Sequence, residues 1–512
     1  MGFTADRFRL GTQTRVIRSP LEWPAAEKTG NAILVSLPFI LLLAQTLPYI
    51  SSVYWEDEIF SISVSRSWSS LLAVFRDYEN NMSLYYVLLH LWIRIFGETE
   101  AATHSLSLLS ALITLALFYG LERAWLNKRT ALMGAFLLAA NPTFAYYAVE
   151  SRSYSFLILS AVISTRIFVR LLRKPESRVA IWYGISIVCG VYIHYFGILI
   201  LLVHALSIPR RALTRPYLFR ALLSGLIILA GTLPLLLFPP QNRDQIDWII
   251  KPDFTYLLSV LKDLFGGGYV CLLLGVCLLI AARERYWKHD AGDGYFLTRL
   301  SLIWTIIPAC LIFLFACLVK PAFLSRFFVW CIPGAVILTC LAIESTKLKG
   351  FWKMLVCLLL IVMLLMNSFS VLSRKGSGYP EAVQYLNDHV VQGESVLAYP
   401  YYKSVHAAFY LDKMPSPNLL ATPLIITRSP FVPGGGGRDP DPDLGMLNKI
   451  VSDNNRVYLL CREKDESCRA DTVQNRTWFL KIRNIIKAKH PRQQTMIFGE
   501  GSEQPIRIII YE

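Results

Sequence analysis

From Asn31 to Val371 the chain returns repeatedly to apolar runs of about 17–25 residues. A helix of that length crosses the hydrocarbon core of a bilayer, so these runs limit the chain to a polytopic helical membrane protein. Composition agrees, because 54% of residues are hydrophobic and 17% charged, against about 25% charged in soluble domains. The 51 basic and 36 acidic residues leave a net charge of +15. On a soluble protein that excess would suggest nucleic acid. Here the basic residues fall in short loops between apolar runs, where they orient helices, so no nucleic-acid partner is expected.

The positive-inside rule orders the spans. Asn31–Ser51 opens the series and Ala102–Trp125 leads to the basic Asn127-Lys128-Arg129, which belongs on the cytoplasmic side. Ser83–Gly97 is apolar but short and carries His90 and Arg94. If it crossed, the basic loop would fall outside, so it reads as a helix lying in the outer interface. The runs Ala131–Val149, Tyr154–Leu172, Ala180–Ile193, Phe196–Ile208, Ala221–Phe238, Gly267–Ala282, Leu300–Val319, Phe327–Ile343 and Met354–Val371 then alternate. That gives about eleven transmembrane helices, with the N-terminus inside and the C-terminus outside.

The expected organisation is a basic cytoplasmic N-terminus at 1–30, retained through a signal-anchor helix, and a transmembrane domain at 31–372. Its first outer loop covers 52–101. An extracytoplasmic α/β domain follows at 373–512, where the chain turns polar. Glu381–Asn387 and Ser404–Leu411 read as helices, and Ser395–Tyr399, Val457–Cys461 and Arg507–Tyr511 as strands. The stretch from Gly434 to Pro442 reads as a loop; no Lys-Ser/Thr follows its four glycines, so it is not a phosphate loop. Cys461 and Cys468 either pair as an extracytoplasmic disulfide or remain two thiols.

With this topology one face collects the ionisable groups. Tyr54-Trp55-Glu56-Asp57-Glu58 follows the first span, and charge at a membrane boundary is costly unless it meets water, a partner or a substrate. Tyr85 and Tyr86, Glu150 with Arg152 and Tyr154, His194 with Tyr195, and Lys320 with Arg326 all fall on the same outer side. Carboxylates suit base chemistry, and cations suit an anionic leaving group.

The Trp55-Glu56-Asp57-Glu58 pattern resembles the acidic motif of the GT-C membrane glycosyltransferases, most closely the protein-mannosyltransferase and aminoarabinose-transferase group (families 39 and 83). Further stretches agree in order: Asn81 to Trp92 with Phe96-Gly97; Asn141-Pro142 with Tyr147, Glu150, Arg152 and Tyr154; Tyr192 to Gly197; and Ser325-Arg326-Phe327. Met82-Ser83 replaces prolines common in the family and Arg326-Phe327 replaces Arg-Tyr, which blurs sugar and acceptor more than class.

The resemblance implies transfer of a sugar from a polyprenyl-phosphate donor to a lipid, glycan or protein acceptor, with inversion, at the outer face of a bacterial inner membrane. By motif position Asp57 is the base, with Glu58 supporting it or holding a cation, while Glu56 is solvated. Glu150 contacts acceptor or sugar; Arg152, Arg326 and Lys320 contact phosphate, and His194 phosphate or sugar. Tyr85, Tyr86, Tyr154 and Tyr195 complete the substrate-binding set. The dispersed histidines give no transition-metal spacing. Some relatives use a divalent cation, which stays open as a cofactor. The rival readings are a secondary transporter or flippase of a lipid-linked or anionic substrate, which would place ionisable groups at mid-membrane in repeated halves, and a non-catalytic assembly protein.

Overall fold

A computed structural model describes residues 29–77, 79–239, 249, 251–271, 275, 293–391, 394–399, 407, 409, 410, 444–462, 473–502 and 504–512. Seven helices in it are long and apolar enough to cross a membrane: Ala32–Tyr49, Glu100–Arg123, Tyr154–Arg173, Arg215–Leu237, Phe296–Leu318, Ser325–Ser345 and Gly350–Leu372. The expected runs Ala180–Ile193 and Phe196–Ile208 form shorter apolar helices at Ser177–Ile193 and Tyr195–Ser207. The run at 131–149 is broken. Asn141 ends a helix at Lys128–Ala140, and its Oδ1 accepts from Phe144 N (3.0 Å) to cap the next, Pro142–Ala148. Proline at the first position cannot donate, so the break leaves that group with no lost bond. Most of the expected span Gly267–Ala282 lies outside the described residues, as do the basic N-terminus, the glycine loop, Cys468 and most of the expected helix Ser404–Leu411.

Burial separates the lipid-facing helices from the central one. Along Arg215–Leu237, Leu222, Leu226, Leu229 and Leu236 are exposed, as are Met354, Leu358, Met366 and Phe369 along Gly350–Leu372. A helix in lipid gains nothing by hiding such side chains. Ile332–Ser345, by contrast, is buried nearly all round and forms the bundle's axis. The chain is an integral membrane protein.

The stretch after the first span is folded rather than loose. It forms α2 (Glu56–Ser65), α3 (Trp68–Asp77) and α4 (Ser83–Phe96), with α1 (Thr29–Thr46) before it. In α4 Tyr85, Tyr86, Leu89 and His90 face inward while Leu91, Ile95 and Phe96 are exposed, the two-sided pattern of a helix lying in an interface.

Beyond the last apolar helix a four-stranded sheet forms, in the order β1 (Ser395–Ala398), β2 (Val457–Arg462), β4 (Ile506–Tyr511), β3 (Gln493–Phe498). The β1–β2 pair is parallel and the other two pairs are antiparallel. Side chains alternate across a strand. Val396, Ala398, Tyr458, Leu460, Ile508 and Ile510 therefore share one core with Tyr54, Ile59, Ile62, Tyr85 and Tyr86 of the α2–α4 layer. The alternate positions Leu397, Leu459, Ile509 and Tyr511 pack beneath the helices Leu444–Asp453 and Val473–Lys489. The sheet thus sits directly on the helix that carries the acidic residues.

Candidate active site

The site is built around the first turn of α2. Trp55 is extended (φ −97°, ψ 173°) and its backbone N–H donates to Glu58 Oε2 (3.2 Å), which fixes where the helix starts. Three acids in a first turn suit the positive end of the helix dipole. Successive helical residues point about 100° apart, so neighbouring carboxylates part company.

Asp57 faces outward and keeps 31% of its side chain exposed. Its Oδ2 accepts from Arg326 Nη1 (2.9 Å), and Arg152 Nη2 lies 3.8 Å away. Arg152 is itself buried and anchored to α2, donating through Nη1 to Ser61 Oγ (3.0 Å) and to the Asp57 carbonyl (3.3 Å). Burial works against the Arg152 charge, but Asp57, then Tyr86 and Tyr154, hold it firmly protonated. The Arg326 guanidinium lies 5.7 Å from the Trp55 ring centre, and the Trp55 indole donates to buried Glu150 Oε1 (2.8 Å). Residues from three separate stretches thus meet at one helix turn.

Glu58 points the other way and is fully buried. Its Oε1 accepts from His104 Nε2 (2.7 Å) and from Ser151 N (2.7 Å), with Lys375 Nζ 3.7 Å away. Burial alone would raise this carboxyl, but Lys375, then His104 and the Ser151 N–H, outweigh it and hold Glu58 down at about 2. The other His104 nitrogen, Nδ1, faces the Ile50 carbonyl (2.8 Å).

His194 closes the far wall. Its Nδ1 accepts from Phe196 N (3.2 Å), which leaves the proton on Nε2, and among the described residues Nε2 has no partner. Burial, then Arg152 and Arg326, push the ring down to about 3, so it stands as a neutral donor. Tyr147 and Tyr154 (4.8 Å between ring centres), Tyr154 and His194 (6.1 Å), and His194 and Phe327 (5.4 Å) line up as an aromatic wall.

Sequence reasoning passed over Glu79. It follows α3, accepts from the Tyr86 hydroxyl, and is pushed up by burial while Arg152 pulls it down and Asp57 pushes it up again. It therefore shares the electrostatics of Asp57 and Arg152. A signal existed in its place just ahead of Asn80, Asn81 and Met82, the last held at φ 61°, which is rare for a non-glycine residue.

The remaining candidates sit around this centre. Tyr85 is buried behind Tyr86, against Phe156. Tyr195 is partly exposed at the rim, its N–H donating to Asn81 Oδ1 (2.9 Å). Lys320 is half-buried on the link after the helix ending at Leu318. Arg152 turns to Asp57 and Ser61, so it is not confined to a local pair with Glu150. Glu56 meets the Tyr379 hydroxyl (3.4 Å) of the following domain. Among the described residues, no three His, Cys, Asp or Glu side chains converge as a metal-binding set, and a cation at Asp57 would compete with two guanidiniums already there.

Comparison with known proteins bears on the fold. The family described as dolichyl-phosphate-mannose-protein mannosyltransferase matches residues 83–238. The crystal structure of ArnT from Cupriavidus metallidurans in the apo state superposes with a TM-score of 0.57 at 11% identity, over 93% of this chain and 97% of that one. The same protein bound to undecaprenyl phosphate gives 0.57 at 11% identity, over 94% and 98%. Arabinofuranosyltransferase AftD from Mycobacteria gives 0.48 at 13% identity, over 95% of this chain and 40% of that one. No curated protein matches the sequence significantly. The resemblance to the GT-C membrane glycosyltransferases is thereby borne out, and the chain has the ArnT-like GT-C fold over nearly its whole length.

Proposed function

We propose that the chain is a membrane glycosyltransferase that moves a sugar from a polyprenyl-phosphate donor to a nucleophilic oxygen of a lipid, glycan or protein, with inversion. The observation that carries this reading is Asp57, a partly exposed carboxylate against the buried Arg152 and the partly buried Arg326. Two guanidiniums this close form a phosphate site for which Asp57 is the resting counter-ion. A donor phosphate that enters takes over their charge and releases the carboxylate for base chemistry.

The acceptor oxygen then attacks the anomeric carbon and passes its proton to Asp57. The bond from the anomeric carbon to phosphate oxygen breaks, and its electron pair leaves with the phosphate. Arg326, Arg152 and the Nε2–H of His194, which has no partner among the described residues, meet the charge that develops there. The wall of Tyr147, Tyr154 and His194 supplies flat apolar faces for a sugar ring. The ArnT structure with undecaprenyl phosphate supports a polyprenyl carrier by likeness of fold. Charge placement supports an outer, extracytoplasmic site, and the likeness of the outer-face motifs to bacterial members of the group supports a bacterial inner membrane.

The test is release of polyprenyl phosphate and labelled product from a panel of polyprenyl-phosphate sugars in proteoliposomes carrying an envelope lipid and glycan extract. Turnover with at least one donor supports the reading. Movement of intact donor across the bilayer without cleavage would replace it with the transporter reading.

A further inference from the structure

The domain after the last apolar helix grips the segment that carries Asp57. The Tyr54 carbonyl accepts from Ser377 Oγ (2.8 Å) and from the Tyr410 hydroxyl (3.2 Å), and Glu56 N–H donates to Gln504 Oε1 (3.4 Å). Gln504 is tied in turn to Gly378 N (3.0 Å). The deepest contact is ionic. Lys375, three residues past the end of the helix Gly350–Leu372, has a side chain only 1% exposed. Its Nζ lies 3.7 Å from Glu58 Oε1 and 4.7 Å from the Tyr146 ring centre, and it has no hydrogen-bond acceptor among the described residues. A lysine enclosed this way is costly unless a carboxylate faces it. An apolar residue would fill the same space at no such cost, so packing does not account for it.

We propose that Lys375 is a positioning residue: through Glu58 it couples the C-terminal domain to the first turn of α2 and fixes where Asp57 meets Arg152 and Arg326. Glu58 is the hub of that device, because one carboxylate holds Trp55 N, Ser151 N and His104 as well. It therefore joins the acidic turn, the loop before Arg152, the second long helix and the C-terminal domain. The ionised state that burial would oppose is maintained chiefly by Lys375. This role rests on the transferase reading only for its effect on turnover; the coupling itself is a property of the fold.

The test compares hydrogen exchange in the full-length protein with turnover. In Lys375→Met, amides of residues 55–59 and Ser151 exchange at least about tenfold faster while the other apolar helices stay protected, and Lys375→Arg restores protection. Where transfer is measurable, kcat falls about 10–100-fold with donor KM within about twofold. Glu58→Gln leaves a buried ammonium without its counter-ion, so the double variant Glu58→Gln/Lys375→Met is more stable than Glu58→Gln alone. That comparison keeps the proposal testable if one single variant fails to fold. Unchanged exchange at residues 55–59 in Lys375→Met, or a double variant no better than Glu58→Gln, overturns it. Faster local exchange in a protein that transfers no sugar leaves the coupling standing and rejects the transferase reading alone.

Discussion

Arg326 Nη1 donates to Asp57 Oδ2 at 2.9 Å across 269 residues of chain. One partner opens a helix after the first span and the other lies at the start of the most deeply buried one, so the contact closes the site from opposite ends of the membrane domain. The fork of a guanidinium can serve a carboxylate or a phosphate, which makes this contact the exchange point between resting and donor-bound states. Arg326→Lys keeps the charge but loses the fork, and Arg326→Gln loses both. Donor KM should rise modestly in the first and at least about tenfold in the second. Equal donor KM in both variants and wild type would remove Arg326 from phosphate binding.

His194 makes a prediction about pH. An imidazole at its ordinary 6.5 would titrate within the working range, but burial followed by Arg152 and Arg326 sets this one at about 3. Its neutral donor form is therefore constant from pH 5 to 8, and the pH–rate profile of transfer should carry no limb near 6.5 from this residue. A limb there that disappears in His194→Gln would contradict the assignment.

Glu58 predicts how stability responds to acid. Its folded value of about 2 lies below the ordinary 4.5, so its contribution is fully present above 4.5 and is lost as pH falls toward 2. Unfolding midpoints in detergent should separate wild type from Glu58→Gln at pH 7, and the gap should narrow between pH 4.5 and 3. A gap independent of pH would mean that the carboxylate's charge is not what stabilises.

These outcomes also mark what the sequence could tell. The acidic turn, Arg152, Arg326 and His194 were legible because each is a charged or polar residue at the end of an apolar run, where lipid would exclude it unless it served something. Three of the four sheet strands were legible as short, largely apolar runs; β3 opens on Gln493, Gln494 and Thr495, polar and exposed on an edge, and has no such run. The opposed directions of Asp57 and Glu58 were not legible, since adjacent letters do not reveal which face of α2 meets the bundle. His104 was hidden inside an apolar helix and Lys375 looked like an ordinary basic residue beyond a span. Only the fold brings both to Glu58.

A backbone prediction follows from Gly197. A methyl there would overlap the Gly190 carbonyl, which is backbone and cannot swing aside. The 3-10 turn at Tyr195–Ile198 therefore lies directly on the end of the preceding helix and sets the position of His194. Gly197→Ala should lower the unfolding midpoint by several degrees and reduce transfer, whereas Gly225→Ala, where nothing lies nearby, should do neither. Matching effects at the two glycines would show that the close approach is unimportant.

The central claim is that Asp57 takes the acceptor's proton. The most direct measurement is single-turnover transfer at saturating donor, comparing wild type with Asp57→Asn while polyprenyl-phosphate binding is followed in parallel. The account predicts a loss of at least about 10²-fold in the chemical step, with phosphate binding retained or tightened because the arginines have lost their resting counter-ion. Transfer at the wild-type rate in Asp57→Asn would contradict it and move the search for the base to Glu79 and Glu150.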